Sequence, residues 1–228
     1  MIKKEYTNTL INYLSGFISN CRIEKFIERI DLRTRFVTIA LEDIYQPHNA
    51  SAVLRSCECF GIQDVHIIEN KNKYTVNPDV ALGSSKWLTL RRYNKTENNT
   101  VECIQKLKTE GYRIIATSSH KNDCNIDQLQ LDNKIALFFG TEMHGLSKEA
   151  LNYADGFVKI PMFGFTESFN ISVSAAVCLY SITTRLRKSN VGWQLSDIEK
   201  SEVMLQWLKN SIKDAEAIEA DFKKKSGL

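Results

Sequence analysis

The run Ile135-Ala136-Leu137-Phe138-Phe139 is apolar at every position and breaks off at Gly140-Thr141-Glu142-Met143-His144-Gly145-Leu146-Ser147. Five consecutive apolar residues without polar alternation suit a strand covered on both faces, as in parallel sheets. The segments around it keep the same beat. Upstream, Arg35–Leu41, Val65–Ile68 and Arg113–Thr117 read as strands, separated by helices over about residues 50–60, where Asn49 caps and Gly61 ends, and 96–110, which Gly111 ends. Downstream, residues 147–154 read as a helix, 156–160 as a last strand and 168–188 as a long helix. Strands alternating with helices imply an α/β fold, a parallel sheet flanked by helices, whose ligands bind beyond the carboxyl ends of the strands.

Helices bracket this core. Leu10, Leu14, Phe17 and Ile18 follow amphipathic spacing, giving helices over residues 6–18 and 23–30. Lys3 and Lys4 precede an apolar region, but Asn12, Tyr13, Ser15 and Gly16 interrupt it, so it is no signal peptide. At the other end Ser196 and Glu199 form a capping box opening one helix over 197–222, with an apolar stripe of Ile198, Leu205, Leu208, Ile212, Ala215, Ile218 and Phe222. The expected organisation is an N-terminal helical extension over 1–30, a core over 31–190 and a C-terminal helical extension over 191–228.

With 30 basic and 27 acidic residues among 228, the net charge of +3 neither demands nor excludes a nucleic-acid partner. Local clusters say more: Lys86, Arg91, Arg92 and Lys95 interleave with Trp87 and Tyr93, a mixture suited to a polyanion with exposed bases. Arg185, Arg187 and Lys188, and Lys223-Lys224-Lys225, are further clusters; each, taken singly, is equally a solvated helix end or tail. Cys21, Cys57, Cys59, Cys103, Cys124 and Cys178 show neither metal-ligand spacing nor a disulfide framework, so no metal is expected and the thiols read as those of a cytoplasmic protein. No apolar run is long enough to cross a bilayer.

Three loops at strand carboxyl ends carry the unusual residues: 42–55, 140–147 and 161–174. The last joins Ile160-Pro161-Met162 to a helix opening Ser168-Phe169-Asn170-Ile171-Ser172-Val173-Ser174, a polar start that serves either as a cap or as a ligand site. The glycines of 140–147 allow close backbone approach, yet there is no G-x-G-x-x-G and no P-loop lysine.

Taken in order, three motifs resemble those of the SpoU class of SPOUT RNA methyltransferases, TrmH type. They are Asn49 with Arg55 inside Gln46-Pro47-His48-Asn49-Ala50-Ser51-Ala52-Val53-Leu54-Arg55; Phe139-Gly140-Thr141-Glu142 with Gly145-Leu146-Ser147; and Ile160-Pro161-Met162 with Ser168-Phe169-Asn170-Ile171-Ser172-Val173. The resemblance spans about residues 31–188, and Gly83-Ser84-Ser85-Lys86-Trp87 is similar to a segment of tRNA-modifying members. It implies a C-terminal deep trefoil knot, S-adenosyl-L-methionine as methyl donor, and a homodimer with active sites at the subunit interface. It implies transfer to a ribose 2′-oxygen of tRNA, with guanosine 18 of the D-loop as the expected target. Gly140, Ile160, Met162, Ser168 and Phe169 are then the cofactor-binding residues; Arg55, Asn49, Glu142, Ser168 and Asn170 the catalytic set; His48, Lys86, Arg91 and Arg92 the RNA contacts.

A 2′-hydroxyl is a poor nucleophile, and in-line transfer needs oxygen and methyl about 3 to 3.5 Å apart. The family comparison often casts the arginine as base; a guanidinium stays protonated in proteins, so Arg55 is expected instead to clamp a phosphate and stabilise the developing alkoxide. Glu167 and Phe169 depart from the glutamine and leucine of many tRNA guanosine enzymes, which keeps ribosomal RNA or another tRNA position as the alternative substrate. A non-catalytic knotted RNA-binding protein is the second alternative, opposed by the intact set of polar residues.

Overall fold

The computed structural model describes residues 2–75, 77–118 and 124–226. The side chains of Lys3, Lys4 and Lys225 lie outside the described residues. In chain order the elements are α1 (Ile2–Ser15), α2 (Asn20–Ile30), β1 (Val37–Glu42), α3 (Pro47–Cys59), β2 (Asp64–Ile68), α4 (Pro78–Ala81), β3 (Thr89–Tyr93), α5 (Asn99–Thr109), β4 (Arg113–Thr117), β5 (Cys124–Asn125), β6 (Ile135–Phe139), α6 (Lys148–Tyr153), β7 (Gly156–Lys159), α7 (Ile171–Lys188), α8 (Asp197–Ser211) and α9 (Ala215–Ser226). The seven strands form one sheet in the order β3-β2-β1-β6-β4-β7-β5, parallel at every pairing.

The apolar runs are buried on both faces, as their composition requires. One face of the sheet, through Val37, Ile39, Leu41, Leu137 and Phe139, packs with α3 and α7; the other, through Ala40, Ile114, Ala116, Ala136 and Phe138, packs with α5 and α6. The helix that follows β6, α6, therefore lies on one face of the sheet and the helix that follows β7, α7, on the other. Such a divergence opens a crevice beyond the strand carboxyl ends.

The described residues fall into two compact units, Thr34–Trp193 and a helical unit of the chain up to Arg33 with that from Gln194 onward. Inside the helical unit, Trp207 is buried against Phe26, ring centroids 5.4 Å apart, with the Arg33 guanidinium 5.1 Å from the centre of its ring. The capping box forms as the sequence implies, with Ser196 and Glu199 each bonding the other's backbone. The single helix expected over 197–222 is instead two, broken where Ile212 turns extended and Asp214 adopts a φ of 56°. Of the expected stripe, Leu208, Ala215 and Phe222 are buried, Leu205, Ile212 and Ile218 are half-buried and Ile198 is exposed, while Val203 and Trp207 are buried outside it.

Two further departures matter for the site. Helix α3 starts three residues earlier than expected, with Pro47 in its first turn, where the fixed φ is favourable and the missing N–H costs nothing. Asn49 therefore sits inside the helix rather than capping it. Helix α7 starts three residues later than expected, because Asn170 accepts the Ser172 N–H at 2.8 Å and so caps it, leaving Ser168 in the preceding loop.

Candidate active site

A cavity of about 450 Å³ opens at the carboxyl ends of β4, β6 and β7. Its walls are the loop after β6 and the loop between β7 and α7. Of the sequence-predicted residues, Gly140, Glu142, Ile160, Met162, Ser168 and Phe169 line it.

The loop after β6 is tightly made. Thr141 and Gly145 exchange both backbone hydrogen bonds at 3.0 and 2.9 Å, and Gly145 takes a φ of 65° to close the turn. A Cβ at Gly140 would sit inside the Gly145 carbonyl, so only glycine lets the chain double back here. The far end of the loop is tied to the sheet by Glu42, 2% exposed at the end of β1. Its carboxylate accepts the Ser147 N–H at 2.8 Å, the Ser147 hydroxyl at 2.7 Å and the Thr100 hydroxyl at 2.5 Å. Sequence reading passes over Glu42; the available signal is a lone carboxylate closing the otherwise buried strand Val37-Thr38-Ile39-Ala40-Leu41. A buried carboxylate needs several donors to be tolerated.

Asn49 and Asn170 stand beside the cavity and bridge its two walls. The Asn49 Nδ2 donates to a Glu142 carboxylate oxygen and, at 3.3 Å, to Gln46 Oε1; Asn170 Nδ2 donates to Asn49 Oδ1 at 3.1 Å. The three predicted polar residues thus form one chain, Glu142–Asn49–Asn170, drawn from α3 and both loops. Every donor and acceptor in it fixes the orientation of the next.

Arg55 is not brought to this cavity. Six residues past Asn49 on an α-helix, it points about 120° away and about 9 Å further along the axis. It is exposed, and it makes no hydrogen bond or ion pair among the described residues. His48 is exposed on the first turn of α3. Lys86 closes a short 3₁₀ turn, Ser84–Lys86, and Arg91 and Arg92 lie on β3, the edge strand, away from the cavity lining. Arg91 pairs with Asp64 at 3.2 Å, and the Arg92 guanidinium lies 5.3 Å from the centre of the Tyr74 ring.

Residues that sequence reading misses also line the cavity: Thr117 and Ser118 at the end of β4, Lys159 at the end of β7, and Cys178 on α7. Burial pushes the Cys178 thiol up to about 12, which rules it out as a thiolate nucleophile near neutrality. Among the described residues, no group of three or more His, Cys, Asp or Glu is placed to hold a metal ion, and no helix is long and apolar enough to cross a membrane.

A parallel α/β sheet with a polar crevice between diverging helices, walled by a glycine-closed loop and a polar helix start, defines a protein that holds a small cofactor at its strand ends. Similarity to known proteins specifies which. The chain belongs to the SpoU methylase family: the profile described as the SpoU rRNA Methylase family matches residues 37–180, from β1 into α7. It is 46% identical over 209 residues to a Borreliella burgdorferi protein named tRNA (guanosine(18)-2′-O)-methyltransferase, covering 92% of this chain and 94% of that one. A Thermus thermophilus protein of the same name is 33% identical over 75% of this chain and 84% of its own. Among solved structures, a TrmH/SpoU tRNA modifying enzyme of Aquifex aeolicus superposes with a TM-score of 0.73 at 26% identity, over 84% of this chain and 98% of that one. The SpoU methyltransferase AviRb of Streptomyces viridochromogenes, solved with AdoMet, matches in fold at a TM-score of 0.60 and 21% identity, over 72% of this chain and 65% of that one.

Proposed function

We propose that this protein transfers a methyl group from S-adenosyl-L-methionine to the ribose 2′-oxygen of guanosine 18 in tRNA. The observation that carries the reading is the joined chain Glu142–Asn49–Asn170 at the wall of a cofactor-sized cavity, in a chain similar over most of its length to a relative named for that reaction.

The residues present suit the donor. About 450 Å³ lies within the roughly 300–1,000 Å³ of small-molecule sites. Glu142 and Glu167 set two carboxylates on the wall, complementary to a ligand with a sulfonium and an ammonium. Gly140, Ile160, Met162, Ser168 and Phe169 would hold it. When bound, the sulfonium supplies an activated methyl group with a neutral thioether as leaving group.

The protein's own residues then align the acceptor. Asn49, held by Glu142 and Asn170, orients the ribose, while Arg55 clamps the neighbouring phosphate and stabilises the alkoxide as it forms. Arg55 lies off its own chain's cavity, which fits a homodimer whose active site stands at the subunit interface. Exposed Val173, Val177 and Tyr180 run along one face of α7 and suit that interface. The segment 135–174, containing both walls, is the part we assign to the trefoil knot, and the protein works on cytoplasmic tRNA.

The test is to incubate purified protein and labelled donor with unmodified tRNA and, separately, unmodified ribosomal RNA, then map the methylated ribose. Label at guanosine 18 is expected. Label elsewhere moves the substrate, and tRNA binding without transfer replaces an enzyme with a binder. Arg55→Lys should cut turnover at least 10-fold, since an ammonium cannot reproduce bidentate contact; full retention would refute the clamp.

A further inference from the structure

Between Met162 and Glu167, both of which line the cavity, the chain carries Phe163-Gly164-Phe165-Thr166. Phe163 is 98% exposed and Phe165 is fully exposed, although a phenylalanine is among the residues that most gain from burial. On the facing loop Met143, itself a lining residue, is 88% exposed. Three large apolar side chains therefore stand in water on the two loops that wall the cavity. Lys159, at the foot of the same loop, brings a cation to the cavity wall.

We propose that Phe163 and Phe165, with Met143 opposite, form a stacking platform for a nucleobase of the RNA, seating the base of the target nucleotide or its neighbour while its ribose enters the cavity. This rests on the reading of the site as an RNA ribose methyltransferase and adds the group that grips the substrate. A folded RNA presents a ribose to a recessed site only by unstacking nearby bases, and aromatic side chains replace the lost stacking. Charge complementarity favours the same occupant: Lys159 suits the phosphodiester beside a stacked base, whereas a buried apolar ligand gains nothing from it. Stacking is indifferent to base identity, so the platform supplies affinity and places the ribose. Choice of guanosine lies elsewhere.

The experiment compares the protein with Phe163→Ala/Phe165→Ala and with Phe163→Trp/Phe165→Trp, using tRNA with 2-aminopurine at position 18 for binding and tRNA with guanosine 18 for methyl transfer. The alanine pair should weaken tRNA binding about 10- to 100-fold. It should also abolish the fluorescence change on binding and leave donor affinity and oligomeric state as in the wild type; the tryptophan pair should restore binding. Unchanged tRNA affinity overturns the proposal. So does a loss that accompanies dissociation into monomers, which would assign these side chains to the subunit interface, or a loss of donor affinity, which would make them a cover for the cofactor. If the wild type transfers no methyl group but binds tRNA in a phenylalanine-dependent way, the platform stands and the methyltransferase reading falls. If both variants methylate guanosine 18 as the wild type does, the methyltransferase reading stands and the platform falls.

Discussion

The two loops that wall the cavity are built on opposite plans. The loop after β6 is closed on itself by the paired hydrogen bonds of Thr141 and Gly145, and its end is tied to buried Glu42. Residues 161–169, after β7, hold no hydrogen bond among the described residues and expose Phe163 and Phe165 to solvent. Among the described residues, hydrogen bonds join the second wall to the first at Asn170, through Asn49. One wall is rigid before any ligand arrives and the other is free to close over one. A cofactor site needs a preorganised floor, and a site for a large polymer needs a rim that adapts.

The contrast breaks most sharply at glycine. Gly140→Ala forces a Cβ into the Gly145 carbonyl, so the turn must open, at a cost of about 3 kcal/mol in unfolding free energy and with loss of donor binding. Gly164→Ala, in the open loop, meets nothing within 4 Å and should leave stability within about 0.5 kcal/mol. Denaturant melts of the two variants decide the point; equal effects would mean that the walls are not mechanically different. Next in size is Asn49→Ala, which cuts the hydrogen-bonded link between them and strands the Glu142 carboxylate. Turnover should fall on the order of 10²-fold, the cost of a misplaced acceptor, with stability changed by no more than about 2 kcal/mol. Turnover near wild type would mean that the walls act independently.

Much of this is legible in the sequence, for identifiable reasons. β6 stands out because a strand buried on both faces can be apolar along its whole length, and β1, β2 and β4 because apolar residues dominate them; the shorter β7 is marked by Phe157 and Val158 after Gly156. β3 does not, because Thr-Leu-Arg-Arg-Tyr is an edge strand whose Arg91 pairs with Asp64 of the neighbouring β2, a partner no local pattern reveals. Asn49 reads as a cap since asparagine is a good one; Pro47 outcompetes it for the helix start and leaves the amide free for the site. The link from Glu42 to Ser147 spans 105 residues and exists only once β1 and β6 pair. The polar residues of the three motifs are readable as a set, and their convergence is what the fold adds.

A milder probe uses pH. His66 on β2 is buried, with Nδ1 2.9 Å from the Tyr93 hydroxyl, and burial, then the Arg91 and Lys106 charges, lower its pKa from 6.5 to about 3. The unfolded chain therefore takes up a proton near pH 6.5 that the folded chain refuses until about pH 3, so stability is full above 6.5 and falls as the pH drops toward 3. At pH 5 the loss is about 2 kcal/mol, and His66→Gln removes that slope. The walls should feel this unequally. Amides of the tied loop, Gly145 and Ser147 among them, exchange through opening of the core, so their protection, corrected for intrinsic rates, should drop in step with global stability between pH 7.5 and 5. Amides of 161–169 have no protection to lose and should stay level. A parallel decline in both would show that the open wall is held by the core after all, and would remove the physical basis for treating it as the adaptable half of the site.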